Sequence, residues 1–254
     1  MSADDRLPIR TIRTSFELLE LLVDEGSASL PELSNRMGMP KSTVHDHLSS
    51  LRSLGYIICE DGQYHASTKL LDMGESARRR MDLFPPAKAE VEKLARQVDE
   101  HASLAIEERG KTVLLYISKG KNALNLGVSE GFRMCMPTNA PGKAILAHLS
   151  DERIELILDE WGLPEITPNT VTDRGELLEE LGTIREQGYA TDYGERVEGV
   201  RAVAVPIIAN GVVRGALTIS GPANRMEGEY FEFELPKLLR ESANVVEIQY
   251  TLGE

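Results

Sequence analysis

Two short helical patterns separated by a glycine, with a hairpin signal after them, constrain the first quarter of the chain most strongly. Residues 31–36 and 40–54 carry apolar side chains at helical spacing, and Gly38 lies between the two segments. Two β-prone runs then flank Asp61-Gly62, a dipeptide that favours a type I′ turn between paired strands. Two helices joined by a tight turn and followed by a hairpin are typical of a winged helix-turn-helix domain.

The residues before this pair predict one more helix. Segment 10–23 has apolar residues at spacings of four, three and four, so we expect one buried stripe formed by Ile12, Phe16, Leu19 and Val23. Ser29, Pro31 and Glu32 then match a capping box, with a hydroxyl at the cap, proline in the first turn and a carboxylate three residues after the cap. The second helix is therefore expected to begin at this point.

A pair of prolines suggests where the chain divides. Residues 69–84 have a helical pattern, and Pro85-Pro86 is expected to end that helix because proline donates no backbone hydrogen bond. We therefore predict three parts: a winged helix-turn-helix domain at 1–68, a connector helix at 69–86 and a second domain at 87–254.

The pattern after residue 86 mixes helices and strands. Hairpin signals occur at 108–111 and at Asn210-Gly211, and a further strand is predicted at 124–128. Hairpin-connected strands with helices packed on them indicate an α+β domain with a mainly antiparallel sheet. The predicted helices are 87–98, 140–149, 151–160, 173–187 and 229–250.

Composition excludes several classes of protein. The 254 residues are 41% hydrophobic and 27% charged, which is ordinary for a globular chain. No apolar run approaches the roughly 20 residues that span a bilayer, and the N-terminus lacks the apolar stretch of a signal peptide. Cys59 and Cys135 are too few for a disulfide framework. We therefore expect a cytoplasmic protein that has no membrane partner.

Charge is divided unevenly along the chain. The first 80 residues hold 10 basic and 12 acidic side chains, whereas the remainder holds 18 and 29. A net charge of −13 argues against nucleic-acid binding by the whole surface, but a nearly neutral first domain can still present a locally basic face.

Segment 40–54 has the properties of a DNA recognition helix. Val44, Leu48 and Leu51 form its inward face, and short polar side chains occupy the start of its outward face. An alternative remains open, in which this polar face belongs to a winged helix that binds protein. The side chains predicted to contact DNA are Arg10, Arg13, Arg36, Lys41, Ser42, Thr43, His45, Asp46, His47 and Arg52.

The motifs together resemble one known family. The segment LPELSNRMGMPKSTVHDHLSSLRSLGYI is similar to the helix-turn-helix of IclR-type transcriptional regulators. The ligand domain of that family is matched in order by PGKAILAHL, TPNTVTD, IREQGYATDYGE, GVRAVAVPI and ALTISGPANR, so the resemblance covers about residues 9 to 250. Two positions depart from it, because Asp46 replaces a common Arg and Pro137 replaces a frequent His.

The resemblance implies a GAF-like effector domain that binds a small molecule in a pocket. By motif, the implied effector-binding residues are Leu126, Met134, Ala140, Pro141, Asp192, Ala202, Thr218 and Ser220. This set contains no Lys or Arg, so we expect the N–H groups at the start of the 140–149 helix to receive a carboxylate or polar oxygen. An organic acid or a sugar-derived acid fits this chemistry, and the hydroxyls of the set favour a hydroxylated ligand.

The sequence does not predict an enzyme. The segment 138–144 lacks the first glycine and the Ser or Thr of a phosphate-binding loop, and Thr218 occupies the first glycine position of a nucleophile elbow at Ser220. The five histidines are scattered, so we expect no catalytic, cofactor or metal site. The prediction is a regulator that binds a double-stranded DNA operator as a homodimer or homotetramer under control of a small-molecule effector. An enzyme fused to a DNA-binding module and a constitutive architectural DNA binder remain alternatives.

Overall fold

The computed structural model describes residues 9–253. The chain divides into two compact units, the first ending at Arg80 and the second beginning at Met81. Within the described residues, no helix combines the length and the apolar character needed to cross a membrane.

The first unit has the winged helix-turn-helix order expected from the sequence. Strands β2 and β3 form the predicted hairpin, and Asp61 and Gly62 at its turn both have positive φ angles, of 49° and 79°. The short strand β1, which the sequence analysis did not predict, pairs with β3 to give the order β1-β3-β2. The elements are α1 (Arg10–Glu25), β1 (Ala28–Ser29), α2 (Leu30–Met37), α3 (Lys41–Ser53), β2 (Ile57–Glu60), β3 (Gln63–Ala66) and α4 (Lys69–Arg79).

Helix α1 buries a different stripe from the predicted one. Ile12, Phe16 and Val23 are more than half exposed, and Leu19 alone of the predicted four is buried. Leu18 and Leu22 complete the buried face with Leu19. The prediction was wrong because α1 carries two apolar stripes, and spacing does not tell which of them faces the core.

The start of α2 has the predicted capping box. The backbone N–H of Ser29 donates to the Glu32 carboxylate over 2.7 Å, and the Ser29 hydroxyl donates to the same oxygen over 2.6 Å. These hydrogen bonds lower the pKa of Glu32. The helix begins at Leu30 and ends at Met37, and Gly38 caps it with a φ of 61°, the left-handed conformation that glycine adopts readily.

The prediction that Pro85-Pro86 ends a helix was wrong. Helix α4 already ends at Arg79, and the prolines lie in the first turn of a new helix, α5 (Phe84–Val98). Proline is tolerated there because the first N–H groups of a helix have no intrahelical acceptor. The expected single helix at 69–84 is therefore α4 followed by a turn at 80–83, and α5 begins at Phe84.

The second unit is built on one antiparallel sheet of six strands, in the order β6-β5-β4-β9-β8-β7. Its remaining helices are α6 (Ala140–Leu146), α7 (Asp151–Trp161), α8 (Arg174–Gln187) and α9 (Leu235–Gly253). A π-helical stretch, Tyr230–Glu234, leads into α9. The strands are β4 (His101–Glu108), β5 (Lys111–Lys119), β6 (Arg133–Cys135), β7 (Ala190–Asp192), β8 (Val200–Ala209) and β9 (Val212–Pro222).

The two faces of this sheet have different roles. On one face, alternate strand residues such as Leu104, Val203 and Leu217 pack against α5 and α9 in the larger core cluster. On the other face, Ala204 and Ala216 pack against α6, α7 and α8. Side chains alternate between the faces of a strand, so the remaining outward positions beside α6 are free to line a cavity.

The predicted strand at 124–128 is absent, and this stretch has no regular secondary structure. The strand that extends the sheet edge beyond β5 is instead β6, which pairs antiparallel with β5. The prediction failed because Gly127, whose φ is 65°, interrupts the apolar run.

Candidate functional site

The helix-turn-helix turn fixes the start of α3. The Gly38 N–H donates to the carbonyl of Asn35, and the Ser34 hydroxyl donates to the carbonyl of Met39 over 2.7 Å. Val44 and Leu48 have no exposed surface and hold the helix on the core of the first unit. The first turn of α3 is therefore held firmly while its outer side stays open.

The outer side of α3 carries the polar residues expected of a recognition helix. Lys41, Ser42, His45 and Asp46 are exposed, and Thr43 is half-buried. His45 lies beside Asp46, with 3.7 Å between Nδ1 and Oδ1. These side chains form one surface on which a duplex could lie, with a lysine and two hydroxyls at its leading edge.

His47 does not belong to that surface. Its side chain is 9% exposed, and its Nδ1 lies 2.8 Å from the hydroxyl oxygen of Ser15 on α1. The expectation that His47 points outward was wrong because 44, 47, 48 and 51 share one side of a helix. His47 therefore stabilises the packing of α3 on α1.

The four predicted arginines differ in their surroundings. Arg10 and Arg52 are exposed. Arg36 is largely exposed and forms a salt bridge of 3.1 Å with Glu25, and Arg13 forms one of 2.8 Å with Glu17. Exposed pairs of this kind are weak, so phosphate oxygens could replace the carboxylates.

A cavity of about 100 Å³, open at its mouth, lies on the α6 face of the second unit. It is lined by seven of the eight residues implied by the family resemblance: Leu126, Met134, Pro141, Asp192, Ala202, Thr218 and Ser220. The other lining residues are His101, Ser103, Leu114, Ile117, Val128, Asn139, Arg196, Val197 and Val200.

Strand register explains how the polar lining residues meet. Ser220 pairs with His101 of β4 on one side and with Ala202 of β8 on the other, and Ala202 pairs with Asp192 of β7. One row of the sheet therefore carries these four residues across four strands. Thr218, two residues from Ser220, lies in the next row on the same face. Ala202 is small, so the cavity has room above it.

Two of these side chains are buried yet open to the cavity. Thr218 is 3% exposed, and its Oγ1 has no hydrogen-bond partner among the described residues. Asp192 is 5% exposed, and its Oδ1 accepts the backbone N–H of Glu195 over 2.7 Å. Burial raises the pKa of Asp192 against the effect of the surrounding N–H groups and Lys143. Buried polar groups usually have partners, so the Thr218 hydroxyl is available to a ligand.

Ala140 lies outside the cavity lining, fully buried in the cluster under α6. Two of the N–H groups at the start of α6 are occupied. Pro141 has no N–H, and those of Gly142 and Lys143 donate to the side-chain and backbone oxygens of Asn139. Asn139 thus caps this helix start, so the N–H groups of Gly142 and Lys143 are not available to a ligand carboxylate.

A fully buried lysine lies behind the cavity wall. Lys143 donates to both carboxylate oxygens of Glu195, over 2.6 and 2.8 Å, and to Glu180 over 2.6 Å. These carboxylates raise the pKa of Lys143 although burial opposes the charge. Burial raises the pKa of Glu195 to about 7, although Lys143 opposes this shift.

Two threonines fix the loop that carries Asp192 and Glu195, the partner of this lysine. Thr167 donates to the Gly194 carbonyl over 2.7 Å, and Thr170 donates to the Glu195 carbonyl over 2.8 Å. The TPNTVTD and DYGE motifs of the sequence are thus two sides of one polar structure beneath the cavity. We name the group Lys143, Glu180, Glu195 and Asp192 the buried ionic network.

Sequence reasoning missed several polar lining residues. His101 and Ser103 could have been found from the strand register, because each pairs with a predicted residue of β9. Arg196 lies in a loop, where no periodic pattern marks the direction of a side chain. Among the described residues, no group of three or more His, Cys, Asp or Glu side chains is arranged to hold a metal ion.

Comparisons with known proteins agree with this architecture. The model of the IclR helix-turn-helix domain matches residues 12–57, and the model of the bacterial transcriptional regulator IclR C-terminal domain matches residues 75–248.

Individual relatives match over nearly their whole length. ArcR of Halobacterium salinarum, a probable HTH-type transcriptional regulator, is 30% identical over 95% of this chain and 94% of its own. KdgR of Escherichia coli, an HTH-type transcriptional regulator, is 32% identical over 95% and 92%. The structure of an IclR homolog from Microbacterium hydrocarbonoxydans, complexed with 4-hydroxybenzoate, has a TM-score of 0.81 and 25% identity, covering 96% of this chain and 100% of that one.

The family models cover most of the chain and match the two structural units in order. The resemblance identified in the sequence is confirmed, and so is the fold class, a winged helix-turn-helix followed by an α+β effector domain. The chain belongs to the IclR family of transcriptional regulators.

Proposed function

We propose that the chain regulates transcription in the cytoplasm by binding an operator through the exposed side of α3. The supporting observation is that Lys41, Ser42 and Thr43 lie at the start of a firmly packed helix, with their outer side open. A cationic side chain and hydroxyls at this position suit phosphate oxygens. His45, Asp46 and Arg52 are proposed to lie close to the duplex as well, with Arg10, Arg13 and Arg36 at its margins.

Asp46 has a specific place in this proposal. Its carboxylate is 84% exposed, so burial within the unit does not explain its presence. A carboxylate near phosphate is repelled, but it can accept a hydrogen bond from cytosine N4 in the major groove. We therefore propose that Asp46 contributes to base preference.

The cavity of the second unit is the proposed effector site. Its apolar walls, formed by residues such as Leu126 and Met134, and its polar strip around Thr218 suit a small molecule with both kinds of surface. We propose an organic acid or a sugar-derived acid. The M. hydrocarbonoxydans homolog, complexed with a hydroxylated carboxylic acid, supports this class.

The proposal also assigns a role to each part of the chain and an oligomeric state. Residues 1–68 form the DNA-binding domain, 69–86 the connector and 87–254 the effector-binding domain, and no catalytic step is assigned. The chain acts as a homodimer or a dimer of dimers, because one winged helix reads few base pairs and two-fold pairing doubles the site. The effector favours one arrangement of the subunits and so changes operator affinity.

The test of the DNA-binding face uses duplex DNA selected by the wild-type protein from a random-sequence pool. Replacing both Ser42 and Thr43 with Ala should weaken binding by roughly 10-fold or more. Ser53→Ala, at the far end of α3, is the matched control and should bind like wild type. Equal affinity of all three proteins would remove the start of α3 from the interface.

The same protein and selected DNA also test the two alternatives, a constitutive DNA binder and an enzyme fused to a DNA-binding module. Small acids that bind the protein should change its affinity for the selected DNA. Binding without any change in DNA affinity would indicate a constitutive DNA binder, and steady conversion of a bound compound into product would indicate an enzyme.

A further inference from the structure

Arg196 has an unusual combination of properties at the cavity. Its side chain lines the cavity, and its guanidinium lies over the ring of Phe132, with 5.3 Å between its central carbon and the ring centroid. Its Nε is buried and makes no hydrogen bond to any described residue. A guanidinium presents five N–H donors and cannot lose its proton, so such a group requires an acceptor.

The charges around the cavity do not supply that acceptor. Asp192 accepts N–H groups from its own loop, including that of Glu195 over 2.7 Å. Glu195 is held by Lys143 through both of its oxygens. Within residues 9–253, no carboxylate forms a salt bridge with Arg196, and Arg196 is the one lysine or arginine among the lining residues. The cavity therefore offers an uncompensated positive charge.

We infer that Arg196 is the specificity-determining residue of the proposed effector site and binds the carboxylate of the effector. A carboxylate accepts two parallel N–H bonds from a guanidinium, which is the geometry that arginine recognises best. The ring of Phe132 holds the guanidinium plane in place by a cation–π contact. This inference rests on the proposed function, in which the cavity binds the effector. It adds that Arg196 selects the ligand, through the attraction of its positive charge for a carboxylate.

The other polar groups of the cavity lining constrain the remainder of the ligand. Thr218, nine-tenths buried with an unpartnered Oγ1, offers its hydroxyl to a polar group of the ligand. Arg196 is the one cationic side chain of the lining, so a second carboxylate would face the Asp192 carboxylate with no cation to balance it. The effector class is therefore a small monocarboxylate with at least one hydroxyl, rather than a dicarboxylate or a neutral polyol.

The experiment is calorimetric titration of the full-length protein, without DNA, with matched probes. The probes are 4-hydroxybenzoate, glycerate and gluconate, each beside its neutral amide, with malate as a dicarboxylate. At least one hydroxy acid should bind, and its amide should bind about 10- to 100-fold more weakly. Arg196→Gln should reduce affinity for the acid by a similar factor and leave affinity for the amide unchanged. Arg196→Lys should recover part of the loss, because it keeps the charge without the planar fork.

Arg240→Gln is the control, since Arg240 also lies over an aromatic ring, that of Tyr189, but outside the cavity lining. Acid binding that is equal in wild type and Arg196→Gln overturns the inference, as does equal binding of acid and amide, tighter binding of malate, or no binding by any acid of the panel. These readouts are separate from operator affinity. A ligand that binds through Arg196 but leaves DNA binding unchanged would sustain the inference while contradicting the proposed function.

Discussion

The two units of this regulator place their functional groups in opposite ways. The first unit has an almost wholly apolar interior around Leu22, Leu33 and Leu48, and its polar side chains lie on the outside of α3. The second unit places Lys143, Glu195 and Asp192 in its interior, beside an open cavity. In the proposed function, one unit therefore recognises its partner with a surface, and the other with an internal site.

The difference follows from the size and charge of the two proposed partners. A duplex is a large polyanion, and solvated side chains suffice to position a protein on it. A small molecule offers few contacts, so each must be strong, and hydrogen bonds gain strength where water is excluded. The second unit therefore bears a desolvation cost that the first unit avoids. Substitutions that remove a buried charge should show this difference in stability most clearly.

Lys143→Met should have the largest effect. Above pH 7, where Glu195 is ionised, removing its ion-pair partner leaves a buried charge without compensation and should lower the free energy of unfolding of the second unit by about 3–5 kcal/mol. Trp161, the single tryptophan of the chain, lies in α7 and reports this unfolding by fluorescence in denaturant.

The matched control for this change is Lys93→Met. Lys93 forms an exposed 3.0 Å pair with Glu90 on the same unit, and its loss should cost less than about 1 kcal/mol. Adding Glu195→Gln to Lys143→Met should restore part of the stability. Equal, small effects at positions 143 and 93 would mean that the buried ionic network does not distinguish the two units.

The pH dependence of stability should show the next largest effect. Burial raises the pKa of Glu195 to about 7 from an ordinary value of 4.5. Between these values the folded unit holds a proton that the unfolded chain releases, so stability is greatest below about pH 4.5 and falls as the pH rises through 7. The fall should total about 3 kcal/mol. The raised pKa of Asp192 acts in the same direction.

Comparing wild type with Glu195→Gln isolates this term, since glutamine does not titrate. The difference in free energy of unfolding between the two proteins should change steadily between about pH 5 and pH 7, with wild type losing more stability. A constant difference over that interval would show that Glu195 stays ionised throughout in the folded unit.

The comparison also explains what could be predicted from the sequence. In the first unit, cap, turn and hairpin signals act over a few residues, so the order of α2, α3 and the β2–β3 hairpin follows from the sequence. The same local signals did not identify the buried stripe of α1 or the inward orientation of the His47 side chain. Both depend on which neighbour covers a face, and no periodicity contains that information.

Part of the cavity lining could be predicted from the family resemblance, but not from hydrophobic periodicity and turn signals alone. Seven implied residues meet there because strand pairing brings β4, β9, β8 and β7 side by side. Lys143 lies in a segment that partly resembles a phosphate-binding loop. Its burial beneath the cavity depends on a glutamate 52 residues away in sequence. Arg196 was missed because loops carry no repeating pattern.

Thr218→Val should have a smaller effect, and of opposite sign. The Thr218 hydroxyl is buried without a partner, so an isosteric methyl should stabilise the ligand-free second unit by about 1 kcal/mol. The same change should weaken the effector response while leaving binding to the selected DNA intact. Thr138→Val is the matched control, because Thr138 is equally buried but donates to the Cys135 carbonyl over 2.9 Å, and its loss should destabilise the unit. Equal destabilisation by both changes would place a structural hydrogen bond at Thr218.

Lys41→Ala should change stability least, by less than about 0.5 kcal/mol, because the side chain is exposed at the start of α3. Its effect should appear in the salt dependence of DNA binding instead. Each phosphate contact releases about one condensed counterion, so the slope of log affinity against log salt concentration should fall by about one unit for every DNA sequence tested. Lys119→Ala, on the second unit, is the control and should leave the slope unchanged. An unaltered slope in Lys41→Ala would mean that the outer side of α3 contacts DNA without this lysine, and the surface recognition assigned to the first unit would have to depend on its arginines.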